Sequence, residues 1–154
     1  MAEKRMFSNS VVWTDSFLEL SNEAKLLYIY FGMQADDCGF VDNSKMIART
    51  LAIKDPDKII QRLIEKGLVI KFNDGRLLLI ADWNVNNYIH RYRAKSKYLT
   101  KLKKLYMTED GQYTSAETNQ LAFDYFQDSK GKTTEKSDEP DWLKNIGSRS
   151  KKHV

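Results

Sequence analysis

Lys58, Gln61, Arg62 and Glu65 recur at i, i+3, i+4 and i+7, so a helix over this stretch lines them along one face. Glutamine can pair bidentately with adenine and arginine with guanine, which makes this the constellation best suited to reading bases. Lys45, Arg49 and Lys54 lie nearby and would suit phosphate contacts, and Arg76 could reach the backbone or the minor groove. Asp57 and Glu65 work against that reading, because they repel phosphate at close range. A second concentration of charge follows. Residues 83–108 hold seven basic side chains and no acid: Arg91, Arg93, Lys95, Lys97, Lys101, Lys103 and Lys104. Such a block either tracks a phosphate backbone or is a solvated helix face. Trp83, Tyr88, Tyr92 and Tyr98 are interleaved with it and could stack on unpaired bases. Their helix-like spacing suits core packing or a dimer seam better.

Other chemistries find little footing. His90 and His153 are far apart and the chain has one cysteine, Cys38, so no zinc spacing exists. Asp36, Asp37 and Asp42 surround a glycine turn, where acids more often accept local hydrogen bonds than hold a cation. Two adjacent acids should raise the Cys38 thiol pKa rather than activate it. Gly131-Lys132 lacks the upstream strand and second glycine of a nucleotide-binding loop. No enzymatic activity, cofactor or metal is expected.

With 154 residues and 42% hydrophobic residues, the chain can build one ordinary core with some tail. One cysteine fits a reducing cytosol, and no stretch approaches the ~20 apolar residues of a membrane helix. No apolar signal core follows the N-terminus. The net charge of +4 is uneven: residues 1–82 are near neutral, 83–108 basic, and 109–141 acidic.

The elements follow from capping and periodicity. Ser21 caps a helix in which Leu26, Ile29, Tyr30 and Met33 form an apolar stripe, widened by Leu27 and Phe31. Trp13, Phe17 and Leu18 precede it as a short turn expected on the same core. Asp36-Asp37-Cys38-Gly39 is a turn and Phe40-Val41 a minimal strand. Asn43 or Ser44 caps a helix with Met46, Ile47, Thr50 and Leu51 inward, and Lys45 and Arg49 outward. Asp55-Pro56 starts the next, with Ile59, Ile60, Leu63 and Ile64 inward and Gly67 as its stop. Residues 68–72 and 76–80 are strands joined at Asn73-Asp74-Gly75. The second is apolar on both faces, so either another part of the chain or a partner subunit covers it. Residues 88–106 show helical spacing, 110–111 a break, 115–127 a short helix, and 129–141 a flexible linker composition. Trp142, Leu143 and Ile146 then form an i, i+1, i+4 apolar anchor in a polar tail, for a partner groove or for folding back.

Helix, short strand, helix, tight connection, helix and hairpin is the order of a winged helix-turn-helix. The fold class expected is α+β, mainly α, with a basic C-terminal helix and flexible tail. The winged helix-turn-helix would occupy 1–84, a basic helical extension 85–108, and a short helix, acidic linker and Trp-containing tail 109–154. That order lets the helix bearing Lys58, Gln61 and Arg62 enter a major groove.

Several motifs in order carry a family resemblance. Arg5-Met6-Phe7-Ser8, Asp15-Ser16-Phe17-Leu18-Glu19-Leu20, Leu27-Tyr28, and Gly32 through Asn43 resemble phage replisome-organiser proteins of low-GC Gram-positive hosts. So do Leu63-Ile64-Glu65-Lys66-Gly67-Leu68-Val69 and Trp83-Asn84-Val85-Asn86-Asn87-Tyr88-Ile89. The resemblance spans roughly residues 4–100. It implies a DnaD-like winged helix that binds double-stranded origin DNA, in the cytoplasm of a bacterial host. It also implies a C-terminal contact with a helicase loader or helicase, and DnaD-like winged helices often self-associate as homodimers. The chain departs in lacking room for the usual second helical domain. A transcriptional regulator of the same fold, and a winged-helix adaptor or inhibitor that binds only protein, therefore stand as alternatives.

Overall fold

A computed structural model describes residues 3–90 and 93–127 of the chain. It is mainly helical, with two small antiparallel sheets. The order is α1 (Asn9–Val12), α2 (Asp15–Leu18), α3 (Asn22–Gln34), β1 (Phe40–Val41), α4 (Ser44–Thr50) and α5 (Pro56–Glu65). Then come β2 (Val69–Lys71), β3 (Leu78–Ile80) and α6 (Trp83–Asn86). A 3₁₀ helix (Leu99–Lys104), β4 (Tyr106–Met107), β5 (Tyr113–Thr114) and α7 (Ala122–Gln127) complete it. Among the described residues no helix is long and apolar enough to cross a membrane.

Side-chain caps set the helix starts. Ser8, Thr14, Ser21 and Asp55 accept from the backbone N–H groups of Ser10, Phe17, Ala24 and Lys58. Pro56 opens α5, and the chain turns out of it through Gly67 at φ +72°. Asn43 precedes α4 without a side-chain cap bond. The turn after α4 is tight: Ile53 N–H reaches the Ala48 carbonyl at 3.1 Å while Ala52 sits at φ +56°.

The three-stranded sheet runs β1-β3-β2, with Phe40 opposite Leu79 and Ile70 opposite Leu79. The hairpin turns at Gly75, φ +77°, as the Asp-Gly pair predicts. Cross-strand partners share a face, so Phe40, Ile70 and Leu79 stand together on one side of the sheet. Phe40 meets Phe72 and Tyr98 there, with ring centroids 5.7 and 5.6 Å apart. Leu102, Leu105, Met107, Tyr113, Ala122 and Phe126 join the same buried cluster as the sheet and the helices. All three β3 residues are buried, and the chain's own C-terminal segment supplies the cover that the strand's composition requires.

Several expectations are corrected. The helix expected through 88–106 is not continuous: α6 ends at Asn86, Asn87 is extended, residues 94–96 are not helical, and a 3₁₀ helix spans Leu99–Lys104. The break expected at 110–111 is present as a turn with Gly111 at φ +92°, and β4 and β5 flank it. The helix expected over 115–127 is shorter, α7 covering only Ala122–Gln127. Leu27 and Phe31 face inward on α3 as expected, joined by Ala24, Tyr28 and Gly32, whereas Leu26, Tyr30 and Met33 are exposed. In α4 the buried residues are Ser44, Ile47 and Ala48, whereas Met46 is 59% exposed. Helix α3 is apolar on both sides, so periodicity alone did not choose its face. Phe17 is buried as expected, but Trp13 and Leu18 beside it are exposed.

The N-terminal arm is pinned by the asparagines after Trp83. Asn87 Oδ1 accepts from Met6 N–H and Asn86 Oδ1 from Ser8 N–H, both at 2.9 Å. Asn86 Nδ2 also donates to Tyr28 Oη at 2.9 Å. Phe7 then rests on Gly32, where a Cβ would come within 2.6 Å of its ring.

Candidate nucleic-acid interface

Helix α5 buries Ile60 and Leu63, keeps Ile59 and Ile64 half-buried against the core, and turns Lys58, Gln61, Arg62 and Glu65 outward. One amphipathic period thus gives the helix both its anchor and its polar face. Lys45 and Arg49 are exposed on α4, Lys54 is exposed in the connection, and Arg76 is exposed beside the hairpin turn. Among the described residues Arg49, Lys54, Lys58 and Arg76 have no acid within ion-pair distance.

Two acids temper this surface. Asp57 lies 3.6 Å from Lys45, linking the start of α5 to α4. Glu65 lies 3.6 Å from Arg62 on the same helix. Both pairs are exposed, so each stabilises the fold by at most about 1 kcal/mol. Their larger effect is to neutralise two cations of this surface, Lys45 and Arg62.

The basic block is deployed differently from a continuous helix. Arg91 lies outside the described residues. Arg93 and Lys95 are exposed, and Lys95 donates its backbone N–H to Asp37 Oδ2 at 3.0 Å. Lys97 pairs with Asp42 at 3.2 Å. Lys101 reaches Asp74 at the hairpin turn, 3.7 Å away, which brings the 3₁₀ helix beside that turn. Lys103 lies over the Phe123 ring at 4.9 Å, and Lys104 is exposed. Lys101 therefore sits closer to the hairpin than sequence spacing alone indicates. Trp142, Leu143 and Ile146 lie outside the described residues.

The acids around Gly39 hold the segment 95–98 in place. Asp36 Oδ1 accepts from the Cys38 and Phe40 N–H groups, and its Oδ2 accepts from Ser96 Oγ at 2.6 Å. Tyr98 Oη donates to Asp42 Oδ2 at 2.7 Å. Burial raises the Asp36 carboxyl above its ordinary pKa, whereas the Tyr98 hydroxyl and Lys97 hold Asp42 below its own. Burial pushes the Cys38 thiol well up, with Asp36 and Asp37 adding to it. No group of three metal-ligating side chains occurs among the described residues.

These side chains border a cleft of about 540 Å³ that also contains Arg5. Arg5 is the residue sequence reasoning missed. Its side chain is only 3% exposed. Its Nη2 donates to the Ala35 carbonyl at 3.0 Å and its guanidinium lies 5.1 Å from the Trp83 ring centroid. Trp83 Nε1 in turn donates to the Asp37 carbonyl at 2.9 Å. Trp83 is core and is closed off from base stacking at 1% exposure.

No family model matches the chain, and searches of curated proteins and of solved structures return no significant match.

Proposed function

We propose that this chain is a winged helix-turn-helix protein that binds double-stranded DNA, with α5 as the recognition helix and the β2–β3 hairpin as the wing. The observation that carries the reading is the exposed Lys58–Gln61–Arg62 face of α5, opposite its buried Ile60 and Leu63. In this arrangement α4 crosses the backbone with Lys45 and Arg49, and Arg76 reaches phosphate from the wing. Lys101, which reaches Asp74, brings the basic block beside the hairpin. The resemblance of residues 4–100 to phage replisome organisers directs the proposal to replication initiation in a bacterial host, with origin DNA as target. A regulator of the same fold would bind an operator instead.

The test is binding of the full chain to duplex fragments from its genomic neighbourhood, across a salt series, with unrelated duplex as competitor. Tight, salt-sensitive binding to a repeat-bearing fragment is expected, and the fragment's place separates origin from operator. Replacing Lys58, Gln61 or Arg62 by alanine should cost ~1–3 kcal/mol and relax base choice. Absence of binding at low salt would sink the proposal.

One observation favours a second reading, a winged-helix adaptor that binds protein alone. The Lys45–Asp57 and Arg62–Glu65 pairs leave the α5 face near neutral. On that reading the same alanine variants would leave duplex DNA affinity, already negligible, unchanged.

A further inference from the structure

Four consecutive residues ahead of the 3₁₀ helix carry donors, and carboxylates hold all of them. Lys95 N–H donates to Asp37 Oδ2 at 3.0 Å, and Ser96 Oγ to Asp36 Oδ2 at 2.6 Å. Lys97 Nζ lies 3.2 Å from Asp42 Oδ2, which also accepts from Tyr98 Oη at 2.7 Å. Backbone N–H, hydroxyl, ammonium and phenol groups are the ones that meet phosphate oxygens in protein–DNA complexes. Here the acids stand in the place of those oxygens. Two of them have further holds of their own. Asp36 accepts from the Cys38 and Phe40 N–H groups, and Asp37 lies 3.6 Å from Arg5.

We propose that Asp36, Asp37 and Asp42 form an autoinhibitory clamp on residues 95–98, which a DNA phosphate backbone displaces. The inference rests on the DNA reading above and names a regulation of that surface. Placement supports it. Asp42 lies just before α4, so Lys97 is held at the start of the helix proposed to cross the backbone. Lys101, one helical turn further along the chain, reaches Asp74 at the hairpin turn. The clamped segment therefore runs between two flanks of the proposed DNA surface. Ease of release supports it too. Lys95 and Lys97 are exposed, and Ser96 and Tyr98 half-buried. Among the described residues no N–H of 95–98 meets a backbone carbonyl. A surface stretch with so few backbone bonds opens at low cost. An exposed pair such as Lys97–Asp42 adds little stability, so a competing anion can take its cation.

The test uses the full chain. Tyr98→Phe keeps the ring that packs on Phe40 and removes one clamp bond without changing net charge. Ser96→Ala removes another, also without changing net charge. Trypsin should cut after Lys95 and Lys97 several-fold faster in each variant than in the unmodified chain. Each variant should bind duplex DNA about 3–10-fold more tightly at low salt, with a steeper salt dependence as Lys97 gains a phosphate. Adding Lys97→Ala should reverse the gain. Asp42→Asn keeps an acceptor for Tyr98 and frees Lys97 by charge alone, which preserves the test if another variant misfolds. It should gain more than Glu117→Gln, the same charge change at an exposed acid outside the clamp. Equal DNA binding by the unmodified chain and all clamp variants would overturn the clamp and leave the DNA reading standing. Faster cleavage without tighter binding would make the three acids a brace of the fold and overturn it as well. No binding by any of these proteins would sink the DNA reading, and the clamp with it.

Discussion

The hydroxyl of Tyr113 donates to the Cys38 carbonyl at 2.8 Å, across 75 residues of chain, with both residues buried. The Tyr113 N–H meets the Ala81 carbonyl beside it, also at 2.8 Å. The segment after β3 is thereby fastened to the turn before β1 and closes the sheet. Tyr113→Phe keeps the ring and removes the donor, leaving a buried carbonyl short of its partner. A loss of about 1–3 kcal/mol in urea unfolding is expected. An unchanged midpoint would mean that the carbonyl finds another donor at no cost.

Much of this fold is legible in the sequence because local chemistry decides it. Ser21, Asp55-Pro56, Gly67 and Asp74-Gly75 each set a boundary through a hydrogen bond or a backbone angle that few residues supply. The polar face of α5 is legible for the same reason, since Ile60 and Leu63 fix which side is inward. What was not legible depends on contacts distant in sequence. Helix α3 is apolar on both sides, and Phe7, Phe17 and the packing of α4 and α5 select Tyr28 and Phe31 over Tyr30 and Met33. The 88–106 segment has helical spacing but is drawn out by Asp36, Asp37 and Asp42, which capture Ser96, Lys95 and Tyr98. Arg5 reads as a surface charge until Trp83 and Ala35 enclose it.

Ala52 adopts φ +56° in the turn that sets α5 against α4. An L side chain there crowds its own carbonyl, whereas glycine does not. Ala52→Gly should therefore raise stability by about 0.5–1 kcal/mol, against the usual direction of a glycine substitution. Thermal unfolding checks it. A lower midpoint would mean that greater freedom of the unfolded chain outweighs the relief of strain.

Stability should peak in mild acid. Asp42 and Glu19 have lowered pKa values, from Tyr98 and Lys97 in one case and Lys66 in the other. Their contribution is present above the ordinary values of 3.8 and 4.5 and is lost as pH falls through the folded values. Asp36 and Asp82 are raised by burial, so the folded state favours their neutral forms. That contribution is full below 3.8 and is lost as pH rises through their folded values. Urea midpoints should rise as pH falls from neutrality through the raised folded values of Asp36 and Asp82, and fall again as pH drops through the lowered folded values of Asp42 and Glu19. Asp36→Asn retains an oxygen acceptor for the Cys38 and Phe40 N–H groups and should flatten the neutral side of the profile. A monotonic fall from neutral pH would contradict the assignment.

The acids on the α4–α5 surface give the DNA proposal its sharpest test, because removing them should strengthen binding. Asp57→Asn releases Lys45, and Glu65→Gln releases Arg62. Both acids are exposed, so each change should alter stability by no more than about 1 kcal/mol, Asp57→Asn including a small loss of its helix-dipole contribution. If α5 lies in a major groove, each variant should bind duplex DNA about 3–10-fold more tightly at low salt. The log–log salt dependence should steepen by up to ~0.9 for each cation that gains a phosphate. Adding Lys58→Ala should reverse much of the gain. A surface built for a protein partner would respond otherwise: affinity for duplex DNA would stay flat through all three changes, because no phosphate would be present for the released cations to meet.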